Sequence, residues 1–222
     1  MRHVVLNFHG LGTPDRPLES GEAPYWVSRD HFAETLALAD RLSDRVETSF
    51  TFDDGNLSDI EIAAPLLGLS GRTATFFVLA DRIGAPGSLD ADALRQLVAE
   101  GHRIGCHGAA HVDWRTLDTA GQNREWRDAR VQIAEASGQK VNDAAIPFGR
   151  YDGRVIRGLK AEGFACAWSS DGGAWRSGAF LRPRTSPRND MTIADIEAIL
   201  LGHEPALRSW RRRLAIAVKQ RV

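Results

Sequence analysis

Short runs of β-branched and aromatic residues alternate along this chain with stretches whose apolar positions recur every three or four residues. Val4 to Phe8 reads as a strand, after which Ser28 can cap a helix carrying Phe32, Leu36, Ala39 and Leu42 on one face. Thr48 to Phe52 and Thr73 to Leu79 give the next strands. Between them Ile60 to Leu69 has a helical pattern that Pro65 either kinks or starts. Asp90 opens a helix through Leu94, Leu97 and Val98 that stops at Gly101. His102 to Cys106 is a fourth strand. A helix from about Thr119 to Ser137, a strand near Ala144 to Pro147, a helix from Asp152 to Glu162 and a strand from Phe164 to Trp168 complete the pattern. From Ser170 to Asn189 glycine and proline are dense, and Phe180 to Arg182 alone looks extended.

Strands regularly followed by helices imply parallel pairing through right-handed crossovers, hence an α/β barrel or an open doubly wound sheet. No repeat or low-complexity linker divides the chain, and 222 residues suit one core, so a single domain over 1–222 is expected. In either architecture the C-terminal strand ends share one face. That rule brings together polar residues far apart in sequence.

The residues so gathered carry chemistry. Thr51-Phe52-Asp53-Asp54-Gly55 ends a strand with two carboxylates, and His107-Gly108-Ala109-Ala110-His111 follows another with two imidazoles four positions apart. His9 ends the first strand and Pro147-Phe148-Gly149 follows the fifth. Taken singly, Asp-Asp-Gly is a common turn and a His pair at this spacing arises by chance. Jointly, one carboxylate and two imidazoles can hold a divalent cation with positions left open, and the second carboxylate can serve as a base. Zinc suits such ligands best, with cobalt, nickel, manganese or iron as alternatives. The pattern predicts a metal-dependent hydrolase.

Charge and cysteine content narrow the setting. A net charge of -1 gives no global attraction to nucleic acid. Cys106 and Cys166 lie in apolar stretches and are expected as free, buried thiols. The apolar run before His9 is too short for a secretory segment, so a cytoplasmic location is expected. From about 205 to 222, Arg208, Arg211, Arg212, Arg213, Lys219 and Arg221 face Leu207, Trp210, Leu214, Ile216 and Val218 across a helical pattern. This basic C-terminal helix either packs on the barrel or touches an anionic membrane surface.

Thr-Phe-Asp-Asp-Gly followed by His-x-x-x-His, with the Phe76-Phe77 strand and the approach Glu100-Gly101-His102 to Gly105-Cys106-His107, resembles the polysaccharide deacetylases of the NodB-homology group, carbohydrate esterase family 4. The resemblance spans about residues 1 to 190. It implies a distorted (β/α)7 barrel, one divalent metal, a carbohydrate substrate and hydrolysis of N-acetyl groups. By position it implies Asp53 as general base, Asp54, His107 and His111 as metal ligands, and Pro147 and Phe148 at the oxyanion and substrate site. Asn7-Phe8-His9-Gly10 is similar to permuted exopolysaccharide-type members that carry the catalytic acid on the first strand, which favours His9 over His203. Gly108 replaces the family's usual hydroxyl residue, and Ala145-Ile146-Pro147-Phe148-Gly149 lacks the arginine that begins its third motif. Asp171 and Trp175 are the corresponding fourth-motif candidates, Trp175 as a substrate contact. Two alternatives stay open: an amidase for non-sugar or cyclic amides, and a catalytically silent carbohydrate-binding relative.

Overall fold

The computed structural model describes residues 1–175, 178–203, 216, 218 and 219. In chain order the strands are β1 (Arg2–Phe8), β2 (Gly10–Leu11), β3 (Trp26–Val27), β4 (Val46–Asp54), β5 (Ala74–Val78), β6 (Arg103–Cys106), β7 (Asp143–Ala145), β8 (Cys166–Ser169), β9 (Ala174–Trp175) and β10 (Leu181–Pro183). The main sheet has the order β10-β8-β7-β6-β5-β4-β1-β9, and every neighbouring pair is parallel except β1 and β9. The ring then closes. Thr185, just past β10, accepts from the Asn7 N–H and donates to the Val5 carbonyl, both at 2.9 Å. Seven parallel strands (β1, β4, β5, β6, β7, β8, β10) therefore form a distorted barrel.

The helices sit where the periodicity predicts them. Ser28 caps α1 (Arg29–Arg41) by accepting from the His31 N–H, and α1 buries Phe32, Leu36 and Ala39. Asp90 caps α3 (Ala91–Ala99) and Asp152 caps α6 (Gly153–Ala161) in the same way. Pro65 lies in the first turn of α2 (Ala64–Leu69), behind a π-helical turn over Asp59–Ala63. That wide turn is where the proline's missing N–H and bulky ring are accommodated. A second π-helical turn, Asn123–Asp128, joins α4 (Thr119–Gln122) to α5 (Ala129–Ser137). The last described helix, α7 (Ile193–Leu201), starts from a Thr192 capping box.

Alternation along the strands sorts the core into two layers. Phe8, Phe50, Phe52 and Phe76 face outward; the first three pack with Phe32 of α1, and the Phe52 and Phe76 rings stack at 4.8 Å. Burying each such ring contributes roughly 1.5–3 kcal/mol relative to leaving it in water. Val5, Phe77, Ala145, Cys166 and Trp168 form a separate cluster inside the barrel. Gly105 is required there, because a Cβ at that position would lie 2.4 Å from the Phe77 ring. Both cysteines are free and buried.

Two regions differ from the sequence reading. The Gly- and Pro-rich stretch after Ser170 contains β9, which pairs antiparallel with the start of β1, and then the strand that closes the barrel. The basic helix expected over about 205–222 lies outside the described residues, save Ile216, Val218 and Lys219. Among the described residues no helix is long and apolar enough to cross a membrane.

Candidate active site

Asp53 and Asp54 end β4, where simple strand alternation would send adjacent side chains to opposite faces. The backbone prevents that. Asp54 has φ 78° and Gly55 φ 68°, so the chain turns through the left-handed region and both carboxylates stay at the mouth of the barrel. Aspartate is one of the few residue types that tolerates this conformation. Asp54, His111 and Phe148 are the non-glycine residues with positive φ among those described, and all three belong to the site. Backbone strain of this kind, of order 1–3 kcal/mol per residue, persists only where surrounding contacts enforce it.

One ligand atom from each of Asp54, His107 and His111 lies within 4.8 Å of the others. The Asp54 Oδ1 atom is 3.6 Å from His107 Nε2 and 3.7 Å from His111 Nε2. That oxygen is buried without a hydrogen-bond partner among the described residues. His107 Nδ1 lies 2.9 Å from the Ala145 carbonyl, and His111 Nδ1 lies 2.8 Å from a Glu19 carboxylate oxygen. An acceptor at Nδ1 places the proton there and leaves the Nε2 lone pair free to bind a cation. Burial lowers the His107 pKa despite the opposing charges of Asp53 and Asp54, which favours the neutral, ligating form. An orphaned buried oxygen beside two correctly presented imidazole nitrogens fits one divalent ion.

Asp53 has a different environment. Arg184, fully buried, donates from both terminal nitrogens to its two oxygens at 2.7 and 2.8 Å, and Asn7 Nδ2 adds a bond at 3.0 Å. Arg184 also donates to Asn7 Oδ1 and to Thr51 Oγ1, and its guanidinium lies over the Phe77 ring. Burial alone would raise the Asp53 pKa, but the charges of Arg184 and His107 hold it well below the usual carboxylate range. For Asp54 burial is likewise overcome, by His9, His107 and His111. Two adjacent carboxylates thus differ in availability: one is held by a cation, the other keeps an open oxygen.

Sequence reasoning missed Arg184. It follows β10, and its backbone bonds to Ser169 while Thr185 bonds to β1, so the closing strand carries it into the barrel. The cation absent from the segment before Pro147 is therefore supplied from another strand. Glu125 was missed as well. Its buried carboxylate, on the π-helical turn, accepts from the Ala109 N–H at 2.8 Å and the Ala110 N–H at 3.2 Å, bracing the loop between the histidines. Gly108 makes room for it: a Cβ there would lie 2.5 Å from the Glu125 carboxylate.

The remaining expectations divide. His9 and Phe148 line a cavity of about 1320 Å³ together with Asp53, Asp54, His107 and His111. The His9 ring lies 5.0 Å from Tyr25, with its Nδ1 buried and unpartnered among the described residues, while Phe148 is half exposed and 4.3 Å from the His111 ring. Pro147 is buried and outside the cavity lining, where it shapes the Pro147–Gly149 turn that presents Phe148. Trp175 is not brought to the site. It pairs with His3 at the opposite end of β1, its ring 4.6 Å from that imidazole, which puts it about 17 Å of strand from Phe8. Asp171 does line the cavity, accepting from Tyr151 at 2.6 Å and Ser169 at 2.7 Å. His203 lines a distant part of the same cavity, next to Gly202, which abuts the Arg2 guanidinium at the start of β1.

A family model for polysaccharide deacetylases matches residues 43–167, more than half the chain. The chain belongs to the polysaccharide deacetylase family. This deacetylase-family chain is 25% identical over 179 residues to YxkH of Bacillus subtilis strain 168, a protein assigned to the polysaccharide deacetylases, covering 78% of this chain and 64% of that protein. It thus spans less than two thirds of that relative's length. Among solved structures, the Streptococcus pyogenes deacetylase PplD in complex with acetate superimposes with a TM-score of 0.77 at 18% identity, covering 92% of this chain and 99% of that one. IcaB from Ammonifex degensii gives 0.69 at 20% identity, covering 95% and 97%. At these identities the likeness establishes the fold, a deacetylase-type barrel.

Proposed function

We propose that this protein is a metal-dependent hydrolase that removes N-acetyl groups from an amino-sugar-containing polysaccharide or oligosaccharide, or from its lipid-linked precursor. Support comes from membership of the polysaccharide deacetylase family together with one observation: Asp54, His107 and His111 converge around an unpartnered buried oxygen while Asp53 beside them is held by Arg184.

An N-acetyl amide is a weak electrophile and water a weak nucleophile. A divalent cation held by Asp54, His107 and His111 would polarise the carbonyl and lower the pKa of water toward about 7. Asp53 is the base. Its two oxygens offer about four lone-pair positions, and Arg184 and Asn7 occupy three, which leaves one to receive a proton from the attacking water. Arg184 keeps this carboxylate ionised and away from the cation site.

Carbon–oxygen bond formation leaves a tetrahedral centre whose C–N bond must break, and an amine leaves only after gaining a proton. His9, lining the cavity beside both aspartates, gives that proton to nitrogen. Phe148, strained at φ 57° and exposed over His111, contributes an apolar face for a sugar ring and its backbone N–H for the developing oxyanion. The products are acetate and a free amino sugar.

The test is acetate release from N-acetylglucosamine oligomers by zinc- or cobalt-loaded protein. Acetate that vanishes with chelator and returns with metal supports the reading. Turnover confined to small cyclic amides, or glycan binding without acetate, contradicts it.

A further inference from the structure

We propose that Glu19 is a positioning residue for the metal site, carried on residues 12–25 as a strap that fixes the His111 ring from outside the barrel. The proposal rests on the metal-site reading above and adds a residue that neither family motif contains. Glu19 lies 92 positions before His111, yet its carboxylate meets His111 Nδ1 at 2.8 Å. The other carboxylate oxygen of Glu19 accepts from Arg82, so the group is held from two sides. His111 sits in a strained backbone conformation, φ 54°, at the rim of the site, where its side chain is 13% exposed against 1% for His107. His107 is fixed by a backbone carbonyl of the barrel itself; among the described residues, the acceptor at His111 Nδ1 is the strap's Glu19.

The strap is built to hold a position. Arg16 pairs with Glu22 and donates to Asn56 Oδ1 at 2.8 and 3.0 Å, tying the strap to the turn that follows the two aspartates. Glu22 also accepts from Trp26 Nε1 at 3.2 Å and from the Glu19 N–H at 2.8 Å. At its far end Asn189 donates its backbone N–H to the Pro24 carbonyl at 2.8 Å and its side-chain amide to Ala23 at 3.1 Å. Tyr25 then lies against His9. One segment, anchored to β4's exit and to the loop after β10, therefore sets a histidine ligand. A carboxylate on the far nitrogen of a ligating imidazole fixes tautomer and ring orientation and raises ligand basicity; its loss typically weakens metal binding about 10- to 100-fold.

Zinc dissociation constants for the full chain, measured by chelator competition, test this in wild type, Glu19→Ala and Glu19→Gln. Weakening of about 10- to 100-fold in Glu19→Ala, with most of the affinity recovered in Glu19→Gln through its amide oxygen, is expected. Equal affinity in Glu19→Ala and wild type overturns the strap's role while leaving the metal site standing. Failure of the wild type to bind zinc or cobalt overturns both. A second readout needs no metal or variant: nitrogen-15 NMR of the metal-free wild type at pH 8 should find His111 as the Nδ1–H tautomer. The Nε2–H tautomer there contradicts the proposal.

Discussion

Arg184 reaches Asp53 with both terminal nitrogens, at 2.7 and 2.8 Å, in a site where neither residue is open to solvent. The pair separates two carboxylates that sequence makes equivalent. A guanidinium fork across both oxygens of Asp53 leaves Asp54 as the one with an unpartnered buried oxygen. The base and ligand roles proposed for them therefore rest on different environments, and each proposed role has its own consequence on mutation.

Asp53→Asn should bind metal as the wild type does and lose turnover by about 10²- to 10⁴-fold, the usual worth of a positioned base. Steady-state acetate release together with metal titration checks both halves. Near wild-type acetate release would remove Asp53 from the base role.

Replacing Arg184 should act through Asp53. In Arg184→Ala a buried carboxylate loses its counter-ion, at a cost of about 3–5 kcal/mol. Arg184→Lys, which keeps the charge but not the fork, should fold and turn over more slowly. The folded-state pKa of Asp53 is depressed, so the pair's contribution to stability is present above the unfolded value near 3.9 and is lost as pH falls toward the folded one. Wild-type stability should therefore decline below about pH 4, and denaturant midpoints across pH 3–7 should show that decline reduced in Arg184→Lys. The acid limb of kcat/KM should shift to higher pH in the variant.

Gly108→Ser should destabilise although a hydroxyl at that position is the pattern this chain resembles. The new Cβ would meet the Glu125 carboxylate at 2.5 Å, and φ is +93°. A loss of about 2 kcal/mol, or about 4–8 °C in Tm, is expected by thermal unfolding. An unchanged Tm would show that Glu125 yields readily and is not the loop's brace.

Trp175→Phe should leave KM for glycan unchanged and lower stability by about 0.5–3 kcal/mol, because the partly buried indole packs at the far end of the barrel against His3 and Arg182. A rise in KM without loss of stability would restore it to the substrate site.

The alternation of strands and helices was legible because local signals agreed: Ser28, Asp90 and Asp152 cap helices, and β-branched runs end at polar residues, whereas a closed barrel in place of an open sheet followed only from the family resemblance. The convergence of Asp53, Asp54, His107 and His111 was legible too, since they follow strands whose C-terminal ends share one face. Arg184 was not, because it sits in a Gly- and Pro-rich segment with no periodicity, and its inward orientation follows from hydrogen bonds to β8 and β1 that only closure creates. Glu125 was hidden by the π-helical turn that breaks the helical register around it. Glu19 is set by a loop contact across 92 positions, which no local pattern encodes. Trp175 was assigned by order along the chain, whereas β9 runs antiparallel and carries it to the other end of β1.

Anomalous diffraction at the zinc edge from crystals grown with zinc tests the central claim most directly. One peak bonded to the Asp54 carboxylate and to Nε2 of both His107 and His111, with Asp53 uncoordinated and still paired to Arg184, is the predicted result. A pocket without a peak, or a peak that recruits Asp53 in place of a histidine, would contradict it.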